Sequence, residues 1–407
     1  MKLNICFICD EYPPLSHGGI GSVTKTLAEE FVKNGHRVFI VGISAKSQGG
    51  ENYEKINGVE IWRFKHGIKI PFMRSNNLLY RGLNKVFKFD FWGVEKVWFK
   101  QNLFLEKLVK EKSIDVIEFP DFRFCYAHLT TDIFFRFWPN INVLKIAKLH
   151  GSLNFLGLES KKNILKKVFL MEQSLLDYCD KIISVSPYTT KRYFSLYNLK
   201  PSKTTEIFNG VEIFDNNEVT LNKENFAVFS GSLVKKKGIV ELLKAWNIVC
   251  LNNESIQLRI YGKGIKQKFV KYINSKYRNR VAFFGHIDQQ ELYQVYKKAK
   301  VAIFPSHTET FGLAPLESML YGCPTIGSEI FAKTWYKKVD VVNNRFPILI
   351  QNHQNINELA LVILKVIDDK SLQKSLSKNG RNYARENFDI NKIAMKHIRF
   401  YKENIVN

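Results

Sequence analysis

The chain is short of acidic residues: 38 Asp and Glu stand against 61 Lys and Arg over 407 residues, a formal net charge of +23. Such a surface attracts acidic partners, whether nucleic acid, an anionic membrane or a phosphorylated substrate, and composition alone does not choose among them. No uninterrupted run of about eighteen apolar residues occurs, so no segment is expected to span a membrane. Met1 to Asp10 carries only a short apolar run followed at once by Asp10 and Glu11, too little for a signal-peptide core. Cysteine is sparse, at 6, 9, 125, 179, 250 and 323. Cys6 and Cys9 form one C-x-x-C, but in a strand residues three apart point to opposite faces, and no second pair completes a zinc site. The expectation is plain buried thiols in a reducing cytoplasm. The dinucleotide fingerprint G-x-G-x-x-G is missing, which leaves hydride transfer unsupported. The metal-binding D-x-D is missing too, so neither an obligatory metal nor any other cofactor is expected. There is no low-complexity tract and no short-period repeat.

What remains is an ordinary globular composition, 45% apolar, in a chain long enough for two cores of roughly 200 residues each. Leu3 to Cys9 reads as a buried parallel strand. A Pro- and Gly-containing loop, Tyr12 to Gly21, leads to a helix with Val23, Leu27 and Phe31 on one stripe, stopped by Gly35. His36 to Ile43 is the next strand, making a right-handed strand–helix–strand unit. Further strands are expected at Val59–Arg63, Val116–Phe119, Val143–Leu149 and Lys181–Val185. Asp215 to Asn225, rich in Asn, Asp and Glu, reads as a linker. A second alternating series starts at Phe226, with strands at Ala227–Ser230, Gln257–Tyr261, Val281–Phe284 and Val301–Phe304 and from Pro324. Helices are expected at Ile239–Cys250, Leu292–Lys298 and Leu316–Tyr321, and helical patterns fill 356 to 407. The expected organisation is therefore a first domain over 1–214, a linker over 215–225 and a second domain over 226–388.

Three strand-to-helix junctions carry chemistry-bearing residues. Gly18-Gly19-Ile20-Gly21 reads either as a tight turn or as backbone amides approaching an anion at a helix start. Gly231 to Gly238, with Lys235, Lys236 and Lys237, reads either as a solvated charge run or as point charges for phosphate. Glu309-Thr310-Phe311-Gly312-Leu313-Ala314-Pro315-Leu316-Glu317 follows a strand where an open parallel sheet places its ligands. Pro315 suits a first helical turn, leaving the amides of 311 to 314 at the helix start. Two carboxylates bracket them. Carboxylates accept from sugar hydroxyls and amides donate to phosphate, while the plain reading makes both glutamates surface charges.

Glu309 and Glu317, set in Pro305-Ser306…Glu309-Thr310-Phe311-Gly312…Glu317-Ser318-Met319…Gly322-Cys323-Pro324, resemble the signature of the family-four retaining glycosyltransferases of GT-B fold. The resemblance continues in order along nearly the whole chain, through the early Pro-Pro…Gly-Gly loop, His150-Gly151, Ser184-Val185-Ser186 and Asn209-Gly210-Val211. It then takes in the Gly231 to Gly238 turn, Tyr261-Gly262-Lys263-Gly264 and Phe283-Phe284-Gly285-His286. It implies an α/β fold of GT-B type: two Rossmann-like doubly wound domains with an inter-domain cleft that closes on the donor, and a C-terminal helix, 389–407, returning to the first domain. It implies that amides near Gly18 and Gly19 approach the donor diphosphate, that His150 lies beside the donor sugar, and that Lys237 holds the diphosphate. Glu309 would contact hydroxyls of the transferred sugar and Glu317 the ribose. Amides of Phe311, Gly312, Leu313 and Ala314 would serve the sugar and phosphate, with Thr310, Gly262 and His286 also at the donor. Two departures stand out: Ser232 occupies the place of an arginine that usually shares the diphosphate, and Thr325 to Tyr336 lacks the usual glycine pair.

The implied reaction retains anomeric configuration, with the acceptor attacking the face from which the diphosphate leaves and no dedicated enzymic nucleophile. Lys237 and helix N-termini would neutralise the leaving group without a metal. A glycan or lipid-linked acceptor and a role in polysaccharide assembly follow by analogy. The alternatives are a GT-B sugar-nucleotide epimerase and a catalytically weak subunit. A nucleic-acid binder lacks any recognisable module. Residues 63 to 112 hold twelve Lys or Arg against four Asp or Glu, interleaved with Phe72, Phe87, Phe89, Phe91, Trp92, Trp98 and Phe99. That mixture suits an anionic membrane surface or, equally, a core helix with a solvated basic face.

Overall fold

The computed structural model describes residues 2–15, 18–67, 93–122, 138–160, 166–213, 223–335, 348–352 and 354–405. They form two compact units, one of Met1–Gly210 with Ile390–Asn407, the other Val211–Asp389. The first unit is built on an eight-stranded sheet: β1 (Asn4–Ile8), β2 (Arg37–Ala45), β3 (Tyr53–Ile56), β4 (Val59–His66), β5 (Val116–Pro120), β6 (Leu144–Leu149), β7 (Lys181–Ser184) and β8 (Thr204–Glu206). Their order is β3-β4-β2-β1-β5-β6-β7-β8, all parallel except the β3–β4 hairpin. From β1 the chain winds outward to β4, then returns to β5 on the other side, so the topological switch lies between β1 and β5. Ligands of doubly wound sheets bind outside the carboxyl ends of the strands at such a switch.

Alternate residues of β1 feed two cores. Cys6 and Ile8 pack below the helices α2 (Val94–Lys112), α4 (Lys166–Tyr178) and α5 (Pro187–Leu196), while Leu3, Ile5, Phe7 and Cys9 face α1 (Gly19–Lys33). The two thiols of the C-x-x-C thus lie on opposite faces, and burial pushes that of Cys9 up to about 12, far from thiolate chemistry. A short α3 (Leu153–Glu159) follows β6. The helix α1 begins at Gly19, inside the glycine run, earlier than periodicity alone placed it.

The second unit has a six-stranded parallel sheet: β9 (Glu224–Ser230), β10 (Gln257–Tyr261), β11 (Val281–Gly285), β12 (Ala299–Phe304), β13 (Thr325–Ser328) and β14 (Leu349–Gln351), ordered β11-β10-β9-β12-β13-β14. The switch here lies between β9 and β12. Its core gathers α6 (Ile239–Asn252) and, near the end of the unit, Leu359, Ile363 and Val366 against the sheet. The helices α7 (Gln289–Lys298), α8 (Leu313–Leu320) and α9 (Glu329–Trp335) flank the strand ends, and α10 (Ile356–Asp368) and α11 (Lys370–Phe388) complete the unit. Most of the stretch read as a linker lies outside the described residues; its last two, Glu224 and Asn225, already belong to β9.

The chain then runs into α12 (Ile390–Asn404), which packs in the first unit. Ile393, Ile398 and Tyr401 are buried with Leu27 and Phe31 of α1, and the Tyr401 ring meets Phe31 edge-on at 6.0 Å. Below it the Tyr401 hydroxyl donates to Glu118 at 2.9 Å, and Lys148 lies 3.5 Å from the same carboxylate and 3.3 Å from His397 Nε2. His397 Nδ1 faces the Ile393 carbonyl at 2.9 Å, which fixes the proton there and leaves Nε2 to accept from Lys148.

Candidate functional site

In the second unit the loops after β9 and β12 meet at the switch. Gly238 ends the lysine turn with φ +72, and a side chain there would come within 1.8 Å of the Pro305 carbonyl, so only glycine lets the two backbones approach. The His307 amide donates to the Lys236 carbonyl at 2.9 Å and stitches the loops further. Lys237 is thereby aimed at Glu309, Nζ to Oε1 2.6 Å, and Ser306 Oγ donates to the same oxygen at 2.9 Å. Both side chains are partly exposed, 28% and 11%, which leaves the ammonium's other protons and the second carboxylate oxygen reachable. The loop after β10 joins the same rim: Leu233 donates to Lys263 at 2.8 Å, and Gly262 lies so close to Gly231 that a Cβ would meet its carbonyl at 1.8 Å.

The helix α8 starts next to Glu309. Its N-cap is Gly312, at φ +93, and no side chain caps it. The first amides of a helix have no partner within it and carry the positive end of its dipole. Phe311 is buried and its carbonyl accepts from Trp335 Nε1 at 2.8 Å, which pins the turn from behind. Thr310, Leu313 and Ala314 are half-buried at the rim. Glu317 sits in the next turn and accepts from Gln289 Nε2 at 2.8 Å; burial pushes its carboxyl above the usual range. Gln289, at the start of α7, went unnoticed in the sequence, although it follows Gly285-His286 by three residues. His286 and Ser232 are exposed, on the loops after β11 and β9. Lys237, Glu309, Ser306 and the start of α8 therefore come together, with Glu317 and Gln289 a turn further on.

In the first unit His150 follows β6, beside the switch strand β5. Its amide donates to Asp121 Oδ1 at 2.8 Å and that of Gly151 to Oδ2 at 3.0 Å. Burial, assisted by the charge of Lys148, holds the His150 imidazole well below its usual pKa, so the ring is neutral at physiological pH. Gly19 faces open space, whereas the Gly18 amide already donates to Glu11 Oε2 at 2.9 Å. Asp121, Glu172 and Tyr193, which build the floor under His150, gave no signal in the sequence: they lie 29, 19 and 41 residues from their amide partners. Among the described residues no group of three or more His, Cys, Asp or Glu is placed to hold a metal ion, and no helix is long and apolar enough to cross a membrane.

Two family models match the chain in succession. Residues 17–213 match Glycosyltransferase Family 4, and residues 211–383 match Glycosyl transferases group 1. The chain belongs to the GT-B glycosyltransferases. It is 25% identical to an uncharacterized glycosyltransferase of Methanocaldococcus jannaschii over 98% of both chains. It is 24% identical to the capsular polysaccharide biosynthesis glycosyltransferase CapM of Staphylococcus aureus, over 54% of this chain and 61% of that one. Among solved structures, a variant of TarM from S. aureus in complex with fondaparinux, alpha-GlcNAc-glycerol and UDP superposes with a TM-score of 0.72. It is 15% identical, with 98% of this chain and all of that one covered, so the likeness is one of fold. This GT-B architecture accounts for two doubly wound sheets in one chain, each with its switch point furnished with polar side chains.

Proposed function

We propose that this protein is a retaining, metal-independent glycosyltransferase. It moves a sugar from a nucleotide-diphosphate sugar to a glycan or lipid-linked acceptor in cell-surface polysaccharide assembly. The observation that carries the reading is the Lys237–Glu309 pair, 2.6 Å apart at the switch point and beside the uncapped start of α8. It sets a cation and a helix dipole where a diphosphate departs, and a carboxylate where a sugar ring gains positive character. Lys237 has two further protons to give phosphate oxygens while it keeps Glu309. The α8 amides take the remaining charge and Glu317 the ribose hydroxyls. Gly262, Thr310 and His286 line the donor, and Ser232 leaves the diphosphate with one cation fewer than relatives carrying arginine. Taken by itself, the first unit offers a glycine turn at Gly18–Gly19 suited to phosphate and, at His150, a neutral ring that adds no repulsion to a developing sugar cation. The acceptor hydroxyl attacks the face the diphosphate leaves. Kinship with a capsular enzyme supports the biosynthetic role, and the UDP seen in TarM makes uridine the first base to try.

A thermal-shift panel of UDP, GDP and ADP with their sugar derivatives tests the reading. A ligand at a hundred times its dissociation constant stabilises by about 2.7 kcal/mol. One base should raise the midpoint, equally with and without EDTA, and Lys237→Ala should abolish the rise. No response to any nucleotide at millimolar concentration would contradict it.

A peripheral site at an anionic membrane belongs to the same proposal. Residues 68–92 of the basic-aromatic stretch lie outside the described residues and Trp98 is buried in the core. The outer face of α2, however, presents Lys96, Phe99, Lys100, Leu103, Lys107 and Lys110 at helical spacing, with Phe99 45% and Leu103 46% exposed. Such a stripe suits a negative lipid surface.

A further inference from the structure

Six consecutive backbone N–H groups, from His150 to Phe155, are all taken by side chains. His150 and Gly151 donate to the two oxygens of Asp121. Ser152 donates to the Tyr193 hydroxyl at 2.7 Å, and that hydroxyl contacts Asp121 in turn. Leu153 and Asn154 donate to the two oxygens of Glu172 at 2.9 and 3.4 Å, and Phe155 to Ser152 Oγ at 3.2 Å. Asp121, Glu172 and Tyr193 are buried, at 2%, 3% and 0% exposure.

A helix start ordinarily leaves its first amides for solvent or an anion. Here they are spent, so this helix start cannot serve a phosphate, and what the segment presents is the His150 side chain. Capping a seven-residue helix needs one hydroxyl, which Ser152 supplies. Two buried carboxylates exceed that need and carry a desolvation cost. Their geometry has a different product: a carboxylate bridging two successive amides fixes the peptide planes on both sides of His150, and with them the direction of its Cα–Cβ bond.

We propose that Asp121, backed by Tyr193 and Glu172, is the positioning residue that fixes the His150 imidazole for the transfer reaction. The proposal rests on the reading that His150 meets the donor sugar. Asp121 must accept from three donors at once, a task an ionised carboxylate performs and an amide cannot, because its NH2 faces an N–H.

The test is a double-mutant cycle of Asp121→Asn and His150→Ala in the full-length chain, read as sugar-nucleotide turnover. Asp121→Asn should lower kcat roughly tenfold to a hundredfold, the scale of a misplacement of about 1 Å, with the donor KM within about twofold. On the His150→Ala background the same change should cost less than about twofold, because the group being positioned is gone. A purely structural role would make the losses multiply, and that result overturns the proposal. Tyr193→Phe keeps the carboxylate and should give a smaller loss of the same kind, should Asp121→Asn fold poorly. Histidine-selective NMR supplies a readout independent of activity: the ring signals of His150 should move in Tyr193→Phe or Asp121→Asn while those of buried His397 stay. If His150→Ala turns over like the wild type, the catalytic reading of His150 fails and the spectra alone judge the cradle. Unmoved His150 signals would then overturn it.

Discussion

The proposed function gives the two glutamates that bracket the start of α8 different contacts, and replacing them should show it. Glu309 is anchored by Lys237 and Ser306 on one oxygen and, in the proposed function, meets the sugar, whose charge changes on the way to the transition state. Glu309→Gln should lower kcat on the order of a hundredfold with little change in donor KM. Glu317, held by Gln289, is proposed to meet a ribose that does not change during the reaction. Glu317→Ala should raise donor KM by an amount corresponding to about 1.5–3 kcal/mol, with kcat largely kept. Steady-state kinetics with varied donor separates the two, and identical profiles would remove the assignment.

Asp121 allows a prediction on pH. Burial pushes its carboxyl up to about 7, against the pull of hydrogen bonds from Tyr193 and the His150 and Gly151 amides, while the charge of Glu172 raises it. A carboxyl whose folded value lies above its free value near 3.8 stabilises the fold most below that value, and the contribution is lost as pH rises through about 7. Melting temperatures of the wild type should therefore fall relative to Asp121→Asn between about pH 4 and pH 7. Parallel curves would mean that folding does not raise the Asp121 carboxyl above its free value. Holding it ionised costs stability in exchange for a fixed His150.

At the scale of elements, legibility followed burial. The parallel strands β1, β2, β5, β6, β9 and β12 are buried along most of their length and read as largely apolar runs, interrupted by charges such as Glu118, Lys145 and Lys148. β3 is half-exposed Tyr53-Glu54-Lys55-Ile56 and carries no such run. Its signal was the turn: Asn57-Gly58, at φ +48 and +83, is the pair a tight hairpin requires. β8 is only three residues long. The signature glutamates were legible because they lie eight residues apart in one loop and helix. The floor under His150 was not, because Asp121, Glu172 and Tyr193 reach it from three separate elements. The helix α12 offers the sharpest element-scale test. Tyr401→Phe leaves the buried Glu118 without one of its donors and should cost about 1–3 kcal/mol in chemical denaturation. Met395→Ala, on the exposed face of the same helix, should leave the midpoint unchanged. Equal behaviour would mean that α12 is held by apolar contact alone.

At the scale of the whole molecule, a net charge of +23 calls for an acidic counterpart. In the proposed function a nucleotide diphosphate answers the cation at Lys237, and the exposed stripe of α2 is offered to a second acidic partner, an anionic membrane. The protein should sediment with anionic liposomes at low salt and be released as salt rises, with Phe99→Ser and Leu103→Ser weakening the binding. Indifference to such liposomes at low salt would remove the membrane from the account without touching the chemistry.

The central claim, transfer from a nucleotide sugar with retention at a metal-free Lys237–Glu309 centre, is tested most directly by proton NMR of the reaction. Wild type and Glu309→Gln would be incubated in EDTA with the α-linked nucleotide sugar that stabilises the protein most and an acceptor panel. The account predicts nucleoside diphosphate release with an α-configured product from the wild type, and roughly a hundredfold less from Glu309→Gln. A β-configured product, or equal turnover by the two proteins, would contradict it.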